Sequence, residues 1–259
     1  MNKSGLFAAA VLIAAAFVPC AQGQGVEELI RQGDEYYRTH HLAPGRFEEA
    51  IALYEKALAL RPNQYELLWK LSQMLQVYGQ SLGDERKEQK IAAWEKGVVY
   101  GKRAVEVRPD GKEGHFYYMA NMGSLAQVKG TLTAVWNFRA IKKELDKTLE
   151  LDPDYPPALV AKAQYLTELP KVFGGRDEES AMALYRRAVE LDPDYRIAYY
   201  YMAQIDAKNR RFEEAIAKLR EILDWKEPAH YGNWVTIERP AAERLLREIL
   251  AQKEKERAP

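Results

Sequence analysis

Residues 151–204 read LDPDYPPALVAKAQYLTELPKVFGGRDEESAMALYRRAVELDPDYRIAYYYMAQ, and they contain the motif Asp-Pro-Asp-Tyr twice, at 152–155 and 192–195. After each copy, Ala and Gln return at the same offsets, and apolar residues follow at helical spacing. The segment between the two motifs is therefore a unit that the chain repeats. A fixed repeat points to an array of similar structural units.

The second half of this unit resembles the second helix of a tetratricopeptide repeat. Ala181, Tyr185 and Ala188 stand at helical spacing in front of Pro193. Small residues where two helices cross, an aromatic residue between them and a proline that ends the helix are the features of that motif. Similar segments precede Pro62, Pro109, Pro153 and Pro228. The distance between successive prolines falls from 47 to 35 residues along the chain, against a family period of about 34.

These repeats predict an all-α fold, a tetratricopeptide-like helical superhelix of about five helix pairs, with expanded turns between the helices of the early repeats. Beyond Pro240, one more helix carries a single apolar stripe. The stripe consists of Ala242, Leu245, Leu246, Ile249 and Leu250. A terminal repeat exposes its apolar face unless another element covers it. We therefore expect this last helix to cap the array.

The first 23 residues differ from the rest of the chain. Lys3 precedes an apolar run from Leu6 to Val18, and Ala21-Gln22-Gly23 offers small residues to a signal peptidase. We therefore expect residues 1–23 to be a signal peptide, residues 24–259 to form the repeat domain, and the mature protein to be periplasmic. A membrane anchor is the alternative, although the run is short for a bilayer span.

Cys20 is the only cysteine in the sequence. It rules out an internal disulfide and a cysteine-based metal site. Its place after the apolar run raises the alternative of a lipid anchor, which would tether the protein to the membrane. The preceding Phe17-Val18-Pro19 matches the pattern before a lipidated cysteine poorly.

Composition and motifs argue against several functional classes. Lys plus Arg and Asp plus Glu number 38 each, and this balance, without a basic block, argues against a nucleic-acid partner. The sequence has no His-Glu-x-x-His motif, and we expect no enzyme, cofactor or metal. His40 and His41 stand beside Pro44-Gly45 and are interpreted as a solvated loop rather than a metal site. His115 is interpreted as a packed histidine rather than a catalytic base.

Aligning the repeats places aromatic residues and amides at two equivalent positions of the first helices. The residues at the fifth position are Trp69, Tyr117, Val160 and Tyr200. The amides at the ninth position are Gln73, Asn121, Gln164 and Gln204. Positions five and nine are one turn apart and share a helical face. In tetratricopeptide superhelices that face lines the concave groove.

Two interpretations of this face remain open. Aromatic residues there can simply fill a tightly wound core. A buried amide, however, needs partners for its donors and its acceptor, so an amide in each full repeat favours a wet or ligand-filled channel. We predict that the three aromatic residues and the four amides line a groove for an elongated, mostly apolar small molecule. The fifth position lacks the lysine of carboxylate-binding repeats, which argues against an acidic peptide terminus.

The chain also resembles a more specific family over roughly residues 90–250. The segment from His115 to Pro193, with its Leu-Pro and Gly-Gly pairs, and the Ala-x-x-Leu-Leu of the last helix are similar to the periplasmic T component of TRAP-type (tripartite ATP-independent periplasmic) transporters. This resemblance implies a helical repeat body with a central pore, a periplasmic solute-binding protein as partner, and a small, hydrophobic ligand. The alternative is a protein–protein interaction scaffold of the cell envelope. A second copy of the chain is a further partner that the architecture permits.

Overall fold

The computed structural model describes residues 21–168, 177–226, 228 and 230–257, with all their side chains except those of 21–24, 131–137 and 257. Regular structure in these residues is helical, and they contain no strand. The predicted all-α class is therefore confirmed. Most of the predicted signal peptide, with Cys20, and the Leu-Pro and Gly-Gly pairs within 169–176 lie outside the described residues.

Helix pairs follow one another along the described chain. They are α1 (Ala21–Arg38) with α2 (Arg46–Leu60), α3 (Tyr65–Ser81) with α4 (Lys87–Val107), α5 (Lys112–Lys129) with α6 (Thr131–Leu151), α7 (Pro156–Glu168) with α8 (Glu178–Leu191), and α9 (Ile197–Lys208) with α10 (Phe212–Leu223). The two helices of each pair pack against each other. This is the predicted succession of helix pairs.

Two short elements and a longer helix end the described chain. The helical turn α11 (Tyr231–Asn233) runs into a π-helical segment (Trp234–Glu238) and then into α12 (Arg239–Arg257). Helix α12 packs on α10, and its Ala242 and Ile249 are buried. It therefore caps the last pair, as its apolar stripe predicts. Among the described helices, none combines the length and apolar character needed to cross a membrane.

Small residues set the distance between the helices. The alanines of the repeat motif are completely buried, for example Ala50, Ala57, Ala181 and Ala188, each with 0% exposed surface. The aromatic residues between them, Tyr54 and Tyr185, are buried as well. Because a methyl group lets two helix backbones approach, the ring beside it can fill the remaining space without a void.

The insertions predicted for the early repeats lengthen helices more than turns. Helices α4 and α6 have 21 residues each, whereas α9 and α10 have 12 each. A long turn is present at 39–45, between α1 and α2, and contains the 3₁₀ helix His40–Leu42. The second and third repeats therefore rise above the others along their helix axes.

The array closes on itself through the segment around α11. On one side Trp234 is buried against α10, and its indole N–H donates to the carbonyl of Ile222 at 3.0 Å. On the other side Oγ1 of Thr236 lies 3.2 Å from Nε2 of His40, across 196 residues of sequence. The first and last repeats are therefore neighbours in space.

His40 corrects the sequence interpretation of its turn as solvated. Its side chain is buried, its ring packs on Phe47 with 4.0 Å between centroids, and its Nδ1 lies 2.7 Å from the carbonyl of Tyr37. A Cβ on Gly232 would lie 2.6 Å from Cε1 of the same ring. Burial lowers the pKa of His40. Sequence reasoning missed this because the covering segment is far away in the chain.

His115 is a packed histidine, as predicted. Its Nδ1 donates to Oε2 of Glu144 at 2.6 Å, and its Nε2 donates to the carbonyl of Pro109 at 2.8 Å. Both ring nitrogens face acceptors, so the geometry favours the doubly protonated imidazolium. The hydrogen bond to Glu144 is the main cause that raises the pKa of His115.

The contact between α4 and α5 gives a first prediction. A Cβ on Gly101 would lie 2.7 Å from the Cα of Tyr118, an atom of the α5 backbone. Gly101→Ala should therefore force the helices apart and lower the free energy of unfolding by about 1–3 kcal/mol. Gly123→Ala is the control, because a Cβ there meets nothing within 4 Å, and it should raise stability by about 0.5–1 kcal/mol. Urea unfolding of both variants measures this, and equal stabilities would contradict the close contact.

The His115–Glu144 pair gives a second prediction. A raised pKa in the folded state means that the pair stabilises the fold below the ordinary histidine pKa of 6.5 and loses this effect as pH rises through the raised pKa. The urea midpoint should therefore fall as the pH rises from about 6.5 through the raised pKa. Glu144→Gln keeps a similar shape without the charge and should flatten that fall. The same slope in the variant and the wild type would show that the pair does not cause it.

Candidate binding site

Three of the predicted groove residues meet between α3 and α5. The rings of Trp69 and Tyr117 are stacked, with 6.0 Å between centroids and 9° between planes. Nε2 of Gln73 donates to the Tyr117 hydroxyl at 2.7 Å. That hydroxyl also hydrogen-bonds the hydroxyl of Tyr155, at the start of α7. An amide and two hydroxyls thus form one polar chain along an aromatic wall.

A second part of the same wall lies on α7 and α9. Gln164, a predicted groove residue, hydrogen-bonds the hydroxyl of Tyr201. The ring of Tyr201 is stacked on Tyr185 of α8, with 5.7 Å between centroids and 12° between planes. The pairing of an amide with a tyrosine hydroxyl is therefore repeated in a later repeat.

Electrostatic interactions show that these two parts face one interior. Tyr117 interacts with Tyr37 of α1 and with Tyr195, which precedes α9. Tyr195 in turn interacts with Tyr155 and Tyr201. Tyrosines from the first, third, fourth and fifth repeats thus converge across the closed array.

The interior is enclosed and yet accessible. Burial is the main cause that raises the pKa of Tyr117, Tyr155, Tyr195 and Tyr201, and it raises the pKa of Tyr37 to about 12. The same five side chains are only half-buried by accessible surface. A group surrounded by protein that still touches solvent lines a narrow interior space.

Asn121 does not line this space, contrary to prediction. It is completely buried, and its Nδ2 donates to the carbonyl of Ser72 at 3.0 Å and to the carbonyl of Tyr117 at 2.8 Å. The amide therefore fastens α3 to α5. Helix α4 covers this side of α5, with Gly97 directly against the amide.

Tyr200 and Gln204 also lie away from the interior. Nε2 of Gln204 donates to the Tyr200 hydroxyl at 3.1 Å, but Gln204 is exposed. The phenol of Tyr200 interacts with Arg244 and Glu248 of α12. The capping helix therefore takes up the position that the next repeat would occupy, and the following residue, Tyr201, faces the interior instead.

Sequence reasoning missed five interior residues: Tyr37, Tyr155, Tyr195, Tyr201 and Glu238. Tyr155 and Tyr195 end the two Asp-Pro-Asp-Tyr motifs, so a signal was present, although it was used only to find the repeat. Glu238 ends the π-helical segment, which has no counterpart in the repeats and gave no periodic signal.

A separate cleft of about 460 Å³ lies on the surface, at the turn between α4 and α5. Its lining is charged: Arg108, Asp110, Gly111, Lys112, Glu113 and Leu151. It does not include the tyrosine wall. Within the part of the chain that the structure describes, side chains able to hold a metal ion do not gather in groups of three or more.

Sequence comparisons relate the chain to helical repeat proteins. The family profile "Regulator of microtubule dynamics protein 1-3" matches residues 29–166, and a tetratricopeptide repeat profile matches residues 176–195. Protein O-mannosyl-transferase TMTC1 of Homo sapiens is 28% identical over 208 residues, which are 72% of this chain and 22% of that protein. Regulator of microtubule dynamics protein 1 of Bos taurus is 26% identical over 185 residues, 66% of this chain and 56% of that protein. The chain thus spans less than two thirds of these relatives.

A solved structure supports the fold. The crystal structure of a thermophilic tetratricopeptide repeat protein from Thermus thermophilus superposes with a TM-score of 0.61 at 21% identity, covering 85% of this chain and 99% of that one. At this identity the likeness concerns the fold alone. The first family profile spans more than half of the sequence, and the chain therefore belongs to the family of the regulator of microtubule dynamics proteins 1-3.

Proposed function

We propose that this protein is a non-catalytic binding protein that holds an elongated ligand in its tyrosine-lined interior. The supporting observation is the set of interior tyrosines that burial perturbs but that remain partly accessible. Aromatic faces supply apolar contact area, and the hydroxyls and amides beside them fix orientation. Trp69, Gln73 and Tyr117 form one end of this surface, and Gln164 and Tyr201 form the other.

The protonation state of the tyrosines favours binding over catalysis. Their pKa values are raised above the ordinary 10.0, so the phenols keep their protons at neutral pH. A protonated phenol donates hydrogen bonds but is a poor base or nucleophile. The interior is thus suited to recognition, which is what helical repeats generally provide.

The cellular setting of this proposal rests on the sequence. The apolar run at the N-terminus supports export to the periplasm, and the resemblance to the T component of TRAP-type transporters supports a solute-binding protein as partner. In this setting the chain would take up or hand over the ligand of an uptake system. The relatives' name, regulator of microtubule dynamics, describes a different setting for those proteins.

An interaction scaffold is the second candidate, and one surface observation favours it. Val99 and Val107 of α4 are 56% and 39% exposed, and Leu60 at the end of α2 is 52% exposed. Large apolar residues on the outside of a repeat array are available to a partner protein. Such a partner would bind the outer face and leave the interior free.

The interior site gives a third prediction. Tyr117→Ala removes the ring stacked on Trp69 and the hydroxyl between Gln73 and Tyr155, so we expect retention of an added apolar probe such as 1-octanol to fall about tenfold. Tyr200→Ala is the matched control, because it removes an equally large ring that faces α12. Native mass spectrometry measures retention. Equal retention in the two variants would show that the probe does not bind at Tyr117.

The partner gives a fourth prediction. The chain should form a complex with a periplasmic solute-binding protein of the TRAP type, measured by size-exclusion chromatography of the two purified proteins. Val99→Lys places a charge on the outer face and should weaken a complex only if that face is the contact. A missing complex would remove the transporter setting and leave the ligand-binding proposal in place.

A further inference from the structure

One interior group is unlike its neutral neighbours. Glu238 ends the π-helical segment, and its Oε2 is buried without a hydrogen-bond partner in the described residues. The carboxyl interacts electrostatically with Tyr195 and Tyr201. It therefore belongs to the tyrosine-lined interior. A π-helical turn costs backbone stability and occurs frequently at functional sites.

The charged groups around Glu238 do not neutralise it. Arg239 follows it in sequence, but the Arg239 guanidinium donates to Oε1 of Glu243 at 2.9 Å and lies over the ring of Trp234. His40 faces Thr236, two residues before Glu238. Glu168 of α7, which interacts with Tyr201, is a second acid. In the described part of the chain, burial alone accounts for the raised pKa of Glu238, about 7.

A buried carboxylate without a partner is unfavourable, and proteins normally pair such a group or place it where a ligand pairs it. The surrounding tyrosines offer hydroxyl oxygens as acceptors and aromatic faces that attract cations. This combination recognises an ammonium group. The apolar ring faces farther along the interior suit a hydrocarbon stem attached to it.

We propose that Glu238, with Tyr195 and Tyr201, binds the ammonium end of an elongated alkyl amine, either a free amine or a lysine side chain of a partner. The proposal rests on the proposed interior binding function and names the ligand chemistry of that site. The step is an exchange of a proton for a cation. The protonated carboxyl and R–NH₃⁺ give the carboxylate paired with R–NH₃⁺ and one H⁺ released to solvent.

The exchange has a defined pH dependence. Below a pKa of about 7 the ligand must displace the carboxyl proton, so affinity should fall about tenfold for each pH unit. Above this pKa, affinity should be constant until the amine itself loses its proton at about pH 10. Tyr195 and Tyr201 do not titrate in this range, because burial raises the pKa of both.

The experiment uses the full chain and three probes: octylammonium, the neutral isostere 1-octanol, and a short peptide with a single lysine. At about pH 8, octylammonium should bind at least about tenfold tighter than octanol. Glu238→Gln should remove this preference and the pH dependence. The control Glu243→Gln should retain both, because Glu243 pairs with Arg239 outside the interior. Tyr201→Phe keeps the ring and should weaken octylammonium binding less than Glu238→Gln does.

The three probes distinguish a free amine from the lysine side chain of a partner. They also distinguish failure of the ammonium site from failure of the proposed binding function. Binding of the peptide but not of octylammonium, lost in Glu238→Gln, supports the site with a protein as the source of the ammonium group. Equal binding of octylammonium and octanol, with octanol still dependent on Tyr117, overturns the ammonium site and leaves the proposed function intact. An octylammonium preference that survives in correctly folded Glu238→Gln, checked by circular dichroism, also overturns it. Absence of binding by all three probes overturns both.

Discussion

The contact between small residues on neighbouring helices is the constraint on which the structure depends. Completely buried alanines recur in nearly every helix pair, and Gly101 brings the backbones of α4 and α5 closer than a methyl group would allow. Because the helices are close, a large ring can either fill a gap between two helices or point toward the centre of the array. Tyr54 and Tyr185 fill gaps between helices, whereas Tyr37, Tyr117, Tyr155, Tyr195 and Tyr201 turn toward the centre. The aromatic interior is therefore a consequence of the tight spacing.

An interior built from tyrosines has to satisfy its hydroxyls. Gln73, Tyr117 and Tyr155 share one hydrogen-bonded chain, and Gln164 and Tyr201 share another. These groups are polar but uncharged, so they orient a ligand without a large desolvation cost. Glu238 breaks this pattern because its buried oxygen lacks a partner among the described groups. An unpartnered acid at one end makes the two ends of the interior differ, because that end prefers positive charge.

Local patterns predicted the repeat, the helix pairs and the cap, because alanine spacing, helix-ending prolines and apolar stripes act within a few residues of each other. The grouping of Trp69, Gln73 and Tyr117 was also predictable, since residues one turn apart share a face. Asn121 was misplaced because Gly97 leaves room for its amide between the helices, and Tyr200 was misplaced because α12 departs from the repeat. The role of His40 depends on a contact between the two ends of the array, and that of Glu238 depends on the π-helical segment. No periodic pattern encodes either of them.

The contact between His40 and Thr236, which joins the two ends of the array, changes how the array should fold. In an open solenoid every contact is local, so folding can begin anywhere and each end frays independently. Here one contact joins residues 196 positions apart, and it can form only after the intervening repeats have taken their curvature. Such a contact raises the average sequence separation between contacting residues, and a larger separation slows folding. In return, neither end can open alone, so amide hydrogens in α1 and α12 should exchange together rather than as two separate fraying ends.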